Sequence, residues 1–475
     1  MNNITIAWIA LPLFLGFVIY LLPKLDRYLA LSVAVVSSGY ALSLFFNQSS
    51  LTLNLLDNFG VTLVVDQLSG YFVLTNALVT AAVILYCWHT DKTAFFYTQI
   101  IILHGSVNAA FVSADFISLY VALEVIGIAA FLLIAYSRTN RSIWVGLRYL
   151  FVSNTAMLFY LVGAALVYQA NNSFAFTGLA NAPKEAIALI FVGLLTKGGI
   201  FASGLWLPLT HSESETPVSA LLSGVVVKAG VFPLVRCALL VPEIDPIVRI
   251  FGVATAFLGV AYALFEKDTK RLLALSTISQ LGWLLVAPGV AGFYALGHGL
   301  AKSTLFLIAG NLPSRDFKEL QNQPINHALW IPLVMGSLSI SGFPLLVGFG
   351  AKMLTLKNVL PWQVILMNIG AVGTAIVYGK FVFLPHGQGK DVKPGLWPPL
   401  ILLLGALIAA SSLYYEAYTV ANITKALAII GIGWLVHFLI FQRLVFHLPR
   451  VFEQLENLIG VMSLMLLLLL GMVLA

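Results

Sequence analysis

Five lysines, Lys197, Lys228, Lys302, Lys352 and Lys380, stand inside long apolar runs, and a single carboxylate, Glu124, lies equally deep in one of them. An ammonium at a bilayer centre costs about 3 kcal/mol even on lenient insertion scales, so five cost about 15, as much as the net stability of a whole domain. One carboxylate cannot neutralise five cations, so several must be hydrated or uncharged, and amines near that balance take up and release protons. Tyr294, His298 and Lys302 stand at i, i+4 and i+8, which puts phenol, imidazole and amine on one helix face in the order of a proton relay. Sodium wants hard oxygen ligands, usually including carboxylate, whereas this set is dominated by cations. The chemistry is therefore proton transfer, with any Na⁺ step elsewhere.

Each of these residues also has a plainer reading. Glu124 is either a protonated carboxyl bonded to a neighbouring helix or the switching partner of Lys197. His298 is either a relay or a satisfied core histidine. Lys352 sits near an estimated helix end, from which it could snorkel, and Lys380 and Arg236 carry weaker signals. Arg148 lies near a helix end and is expected to reach the surface. The stripe offers too few ligands for a metal. Cys87 and Cys237 are far apart in apolar context, so no disulfide, iron–sulfur site or other cofactor is expected, nor a catalytic redox site on this chain.

The elements that must position these groups are transmembrane helices. The chain has 475 residues, 60% hydrophobic and 9% charged, against about 25% charged in soluble domains. Apolar runs recur at 4–22, 29–46, 68–88, 95–112, 115–136, 144–168, 185–207, 217–240, 246–265, 271–289, 291–310, 329–354, 360–384, 397–415, 423–441 and 457–475, each near the length that crosses a bilayer. The first has no basic residue before it and reads as a retained helix. Loops after odd-numbered runs hold fourteen Lys and Arg, those after even-numbered runs four, and seven lie inside the runs. That bias predicts the odd loops in the cytoplasm and both termini on the other side. The net charge of +6 is dispersed over these loops, which excludes nucleic acid as a partner.

Two runs are interrupted. TKGGIFASGLWLP (Thr196–Pro208) breaks the seventh beside Lys197, and SGFPLLVGFGAK (Ser341–Lys352) breaks the twelfth before Lys352. Arg148 and Lys302 are 154 positions apart, Lys197 and Lys352 155, Lys228 and Lys380 152. These offsets predict two five-helix units, 95–245 and 246–390, between N-terminal helices (1–94) and C-terminal helices (391–475). An odd helix number makes the second unit inverted relative to the first.

The run LLTKGGIFASGLWLPLTHSESETPVSALLSGVVVKAGVFPLVR (Leu194–Arg236), with KDTKRLLALSTISQLG (Lys267–Gly282), HGLAKSTLFLIAG (His298–Gly310) and SGFPLLVGFGAK in that order, resembles the antiporter-like membrane subunits shared by Mrp-type multisubunit Na⁺/H⁺ antiporters and respiratory complex I. The resemblance covers about residues 60–385 and looks closest to Mrp D-type subunits. It implies fourteen core helices in two inverted repeats, and a proton path at Glu124, Lys197, Lys228, Lys302 and Lys352; Tyr294, His298 and Lys380 are added as supporting groups from their own placement in the apolar runs. It also implies partner membrane subunits in a hetero-oligomeric complex within a lipid bilayer, that of a bacterial cell or a thylakoid. The implied activity is proton translocation in a cation/proton antiporter; the alternative is a proton-pumping subunit of an NADH or ferredoxin:quinone oxidoreductase. The chain departs from the pattern in carrying about two additional helices after residue 420 and Leu209 where an Asp is common. It also lacks a long lateral amphipathic helix.

Overall fold

A computed structural model describes residues 2–47, 50–56, 60–388, 392–443, 446 and 448–474; the predicted loop cation Lys390 lies outside them. The chain is a helical membrane protein. It opens with α1 (Asn2–Leu21), α2 (Asp26–Asn47), α3 (Gln67–Cys87), α4 (Ala94–Val112), α5 (Phe116–Ile134) and α6 (Asn140–Asn171). The sixth is followed by α7 (Lys184–Gly198), α8 (Leu207–Glu213), α9 (Thr216–Leu221), α10 (Lys228–Leu240), α11 (Asp245–Phe265), α12 (Thr269–Leu285) and α13 (Ala291–Ala309). It ends with α14 (Phe317–Asn322), α15 (His327–Ser341), α16 (Val347–Asn358), α17 (Pro361–Val382), α18 (Trp397–Ser411), α19 (Val420–Val436) and α20 (Leu455–Leu474).

Among the described residues, thirteen helical stretches are long and apolar enough to cross a membrane, α7 with α8 and α9 with α10 each counting as one. The predicted spans at 271–289 and 291–310 form a pair bent by 105°, which makes a fourteenth if it is one span. The predicted span at 329–354 is two shorter helices, α15 and α16, separated by a break.

Aspartates are scarce inside the membrane because they terminate helices. Asp66 accepts from Ser69 N at the start of α3, Asp115 from Ser118 N at α5, and Asp268 from Arg271 N at α12, satisfying N–H groups that would otherwise face apolar surroundings. The Asp66 carboxylate also takes two guanidinium nitrogens of Arg236, at 2.5 and 2.9 Å. Arg236 is thus a tie between α10 and α3 rather than a member of an ion path.

Glycines let the helices touch. A Cβ on Gly230 of α10 would strike the backbone of Gly198 in α7, and one on Gly282 of α12 would strike α11. Close backbone approach of this kind replaces the hydrophobic driving force that lipid removes.

Two pairs of strands carry no clear sequence signal. β1 (Leu51–Leu56) and β2 (Gly60–Val65) pair antiparallel between α2 and α3, Leu51 opposite Val65, and β3 (Ile325–Asn326) pairs parallel with β4 (His386–Gly387). The last helix, α20, returns to pack on α7 and α6, and α18 packs on α3 and α13.

Candidate functional site

Both interrupted helices break by the same device. α7 ends at Gly199, whose φ is +69°, and α15 at Gly342, whose φ is +89°. Each is a left-handed cap that a side chain would strain, and each is followed by a left-handed non-glycine residue, Phe201 (φ +52°) and Leu345 (φ +78°). The carbonyls freed at the first break are partly retaken: Ile200 N bonds Leu195 O at 2.8 Å and the Trp206 indole bonds Thr196 O at 2.8 Å. At the second, Gly348 brings α16 directly against the Ser339 carbonyl.

Lys197, in the last turn of α7, is buried and donates to Ser153 Oγ of α6 at 2.5 Å. A Cβ built on Gly127 of α5 would lie 3.1 Å from its Nζ, and Gly127 is three residues, one helical turn, from Glu124. Glu124 and Lys197 lie within electrostatic reach, yet among the described residues they form no ion pair. Oε1 of Glu124 is buried without a partner. The carboxyl borders a cavity of about 620 Å³ with Tyr120, Trp144, Phe151 and Asn154. Among the described residues, Glu124 Oε1 is therefore neither bonded to a neighbouring helix nor paired.

Lys228 is fully buried at the end of a π-helical turn, Leu222–Val226, which shifts the backbone hydrogen bonding by one residue. Its Nζ donates to Gly224 O and, at 3.5 Å, to Ser223 O. Ser223 Oγ meets Thr277 Oγ1 at 2.7 Å, and Thr277 donates to Leu273 O at 2.8 Å. Leu273 O also accepts from Lys302 Nζ at 2.9 Å, and Lys302 reaches Tyr378 OH at 2.7 Å, itself 2.8 Å from Ser276 Oγ. One network of hydroxyls and carbonyls thus holds both ammonium groups. Carbonyls accept but do not relay protons, so transfer between the lysines needs water or the imidazole of His298.

His298 is buried with both ring nitrogens unbonded, within electrostatic reach of Lys228 and Lys302. It is not a satisfied core histidine. Tyr294 donates to Gln280 Oε1 at 2.6 Å and stacks on Trp283, ring centroids 5.8 Å apart. Lys352 is 3% exposed and does not snorkel. Its ammonium lies 5.0 Å from the Trp283 ring centroid and 3.4 Å from Ser341 O, an aromatic face substituting for an acid. Nε1 of that Trp283 ring and Ser339 Oγ, which lies against Gly348 one turn before Lys352, are both unpartnered. Buried polar atoms without protein partners are where ordered water sits.

Two expectations change. Lys380 caps the end of α11, donating to Leu264 O at 2.6 Å, Glu266 O at 3.0 Å and Ala263 O at 3.4 Å, so its bonds lie outside the Tyr294–His298–Lys302 row. Arg148 does not reach the surface: it is 3% exposed, donates to the backbone carbonyl of Glu453, and keeps Nε and Nη1 buried without partners. The segment before α20 folds over it, a contact 305 positions away in sequence. Sequence reasoning also missed His211, fully buried beside the Leu207 backbone and within electrostatic reach of Lys302 and Lys270; its place in the motif THSESETP was the available signal. Among the described residues no group of three or more His, Cys, Asp or Glu could hold a metal ion.

A helical membrane protein with broken spans and a buried row of lysines headed by one carboxyl defines a class of ion-translocating membrane chain. The chain belongs to the NADH:quinone oxidoreductase/Mrp antiporter transmembrane family, whose profile matches residues 113–377. It is 27% identical over 441 residues to the D-type subunit of the Na⁺/H⁺ antiporter of Alkalihalophilus pseudofirmus, covering 83% of this chain and 89% of that one. It is 29% identical over 328 residues to the N-type subunit of the NADH-quinone oxidoreductase of Desulforudis audaxviator, covering 62% of this chain and 65% of that one. The fold resembles a chain of the Mrp complex from a Dietzia species with a TM-score of 0.77 at 22% identity, over 96% of this chain and 58% of that one.

Proposed function

We propose that this chain is the proton-translocating membrane subunit of a multisubunit cation/proton antiporter, and that protons move along Glu124, Lys197, Lys228, His298, Lys302 and Lys352. The observation that carries the reading is the pair Lys228 and Lys302, both without solvent exposure and held in one hydrogen-bonded network. Two ammonium groups in one dry compartment repel, so a proton arriving at one favours departure from the other. At the Glu124 end, the Lys197 ammonium leaves Ser153 to pair with the carboxylate and returns when that carboxyl is protonated. At the other end, Lys352 exchanges its proton through the water-accommodating polar atoms around Ser339. Lys380 supports this path by holding the end of α11, not by carrying the proton. The partners are further membrane subunits, and the exchanged cation, Na⁺ by likeness to the antiporter relative, is handled outside this row.

The two broken helices are read as the centres of two inverted units, 95–245 and 246–390, in a bacterial cell membrane, with the odd loops cytoplasmic. The second reading, a proton-pumping subunit of a quinone oxidoreductase, is favoured by the oxidoreductase relative and would use the same row with another driving force. The deciding experiment measures cation-induced ΔpH in everted vesicles from cells expressing the complete complex, with and without Lys302→Ala. Cation-dependent exchange that disappears in an assembled Lys302→Ala complex supports the antiporter. Proton pumping driven by NADH or ferredoxin, with no cation response, supports the second reading.

A further inference from the structure

We propose that His327 and His386 form a binding site for an imidazole-preferring divalent cation such as Zn²⁺, Ni²⁺ or Cu²⁺, and that its occupancy clamps the start of α15 to the end of α17. The two Nδ1 atoms are 3.0 Å apart, and both side chains are exposed on a loop face. His386 opens β4, and His327 directly follows β3, whose residues pair with it, Ile325 opposite His386 and Asn326 opposite Gly387, so the convergence is built on a β-pair. Trp330 backs the site: its ring lies 3.9 Å from that of His386, and its indole N–H is fixed on Val382 O at 3.2 Å. That packing orients the imidazole as an outer partner orients a metal ligand.

Metal–imidazole bonds of about 2.0–2.1 Å set two nitrogens about 2.9 Å apart at a right angle and about 3.3 Å apart at a tetrahedral one. The observed separation falls between these values. As the pair stands, one Nδ1–H donates to the other Nδ1. Metal binding needs only that this proton move to Nε2 of its own ring, leaving both Nδ1 lone pairs on the cation. Waters complete the coordination, and a nitrogen pair selects late transition ions over Mg²⁺ or Ca²⁺. His327 is the first residue of α15, and the positive end of that helix keeps the site weaker than a four-ligand structural one.

The clamp has a mechanical consequence. α15 ends at the Gly342 break beside Lys352, and α17 carries Tyr378, so the metal would tie together two elements that position the proton row. This consequence rests on the proposed function; the binding itself does not.

The test titrates the purified complete complex in lipid nanodiscs with Zn²⁺, Ni²⁺ and Mg²⁺ by calorimetry, for wild type, His327→Ala, His386→Ala and His386→Asn. Zn²⁺ and Ni²⁺ should bind, Mg²⁺ should not, and each His substitution should weaken binding by more than the ~10-fold that loss of an outer partner costs. Cu²⁺ bound to wild type should show two imidazole nitrogens by electron paramagnetic resonance. Equal Zn²⁺ affinity in wild type and variants, or Mg²⁺ binding as tight as Zn²⁺, overturns the site. Proton exchange should slow with Zn²⁺ in wild type and not in His386→Ala; exchange unaffected by bound Zn²⁺ overturns the clamp.

Discussion

The two broken helices are close copies in backbone and opposites in company. α7 and α15 are each 15 residues long and each stops at a left-handed glycine. Lys197 sits before its break, on Ser153 and beside Gly127, which is one turn of α5 from Glu124. Lys352 sits after its break, over Trp283 and at a carbonyl, and among the described residues it forms no ion pair. The glycine breaks are 143 positions apart while the lysines are 155 apart, so the two cations lie on opposite sides of their breaks in sequence. The same backbone device thus serves two kinds of electrostatics. One lysine can be neutralised by a nearby carboxylate, the other depends on an aromatic face and hydration.

The largest effects should be shared by both halves. Lys197→Ala and Lys352→Ala are each expected to lower proton exchange in everted vesicles by more than ~10-fold with the complex still assembled, because a desolvated cation at membrane depth is retained for transport. Survival of exchange at the wild-type rate in either assembled variant would remove that half from the path. Next in size, Glu124→Gln should change the pH profile of exchange as well as its rate, since it removes the one carboxyl within electrostatic reach of Lys197. Trp283→Leu should reduce the rate by about 2- to 30-fold, as loss of about 0.5–2 kcal/mol of cation–π attraction implies, with the profile kept. If Trp283→Leu moved the pH profile as far as Glu124→Gln, the contrast between the two lysines would collapse.

Smaller and structural effects should follow at the caps. Gly199→Ala and Gly342→Ala each place a Cβ at positive φ, which costs about 1–2 kcal/mol. Gly199→Ala should be the worse of the two because its Cβ would lie closer to Leu207 Cδ1 than the 2.9 Å that would separate that of Gly342 from Cδ of the longer, more flexible Lys352 side chain. Thermal unfolding of the purified variants checks the order, and equal losses would show that the backbone conformation alone decides the cost.

The ions were legible in the sequence, and their surroundings were not. A lysine or glutamate in an apolar run is conspicuous because its cost is local, so Glu124, Lys197, Lys228, Lys302 and Lys352 could be named from one chain. Ser153, Gly127, Ser223, Thr277 and Tyr378 are ordinary residues of membrane helices until packing brings them to an ammonium. The π-turn before Lys228 leaves no composition signal beyond Ser223 and Gly224. Lys380 and Arg148 depart from expectation for the same reason: the α11 carbonyls and the Glu453 backbone that bind them lie more than a hundred positions away. Helix breaks, by contrast, are local consequences of glycine, and both were legible.

The smallest effect concerns what holds the two halves together. Glu266, in the turn between α11 and α12, takes Arg271 Nε at 3.0 Å and Arg450 Nη2 at 3.1 Å, and Arg271 also binds both Glu453 oxygens, at 2.7 and 2.9 Å. The same Glu453 gives its backbone carbonyl to Arg148 of α6. This network therefore joins α6 in the first half to α12 in the second through the segment before α20. Burial alone would push the Glu266 carboxyl up, but Arg271, the Asp268 N–H and Arg450 outweigh it and hold it below its ordinary value of 4.5. A depressed carboxyl stabilises the fold above its ordinary value, and that contribution is lost as pH falls through its value in the folded protein. Glu266→Gln should accordingly lower stability at neutral pH by about 1–2 kcal/mol, and the difference from wild type should narrow as the pH is taken below 4.5. Unfolding curves from neutral pH downward decide it: a difference that stays constant with pH means Glu266 acts through packing and not charge, and the link between the halves is then not an ionic one.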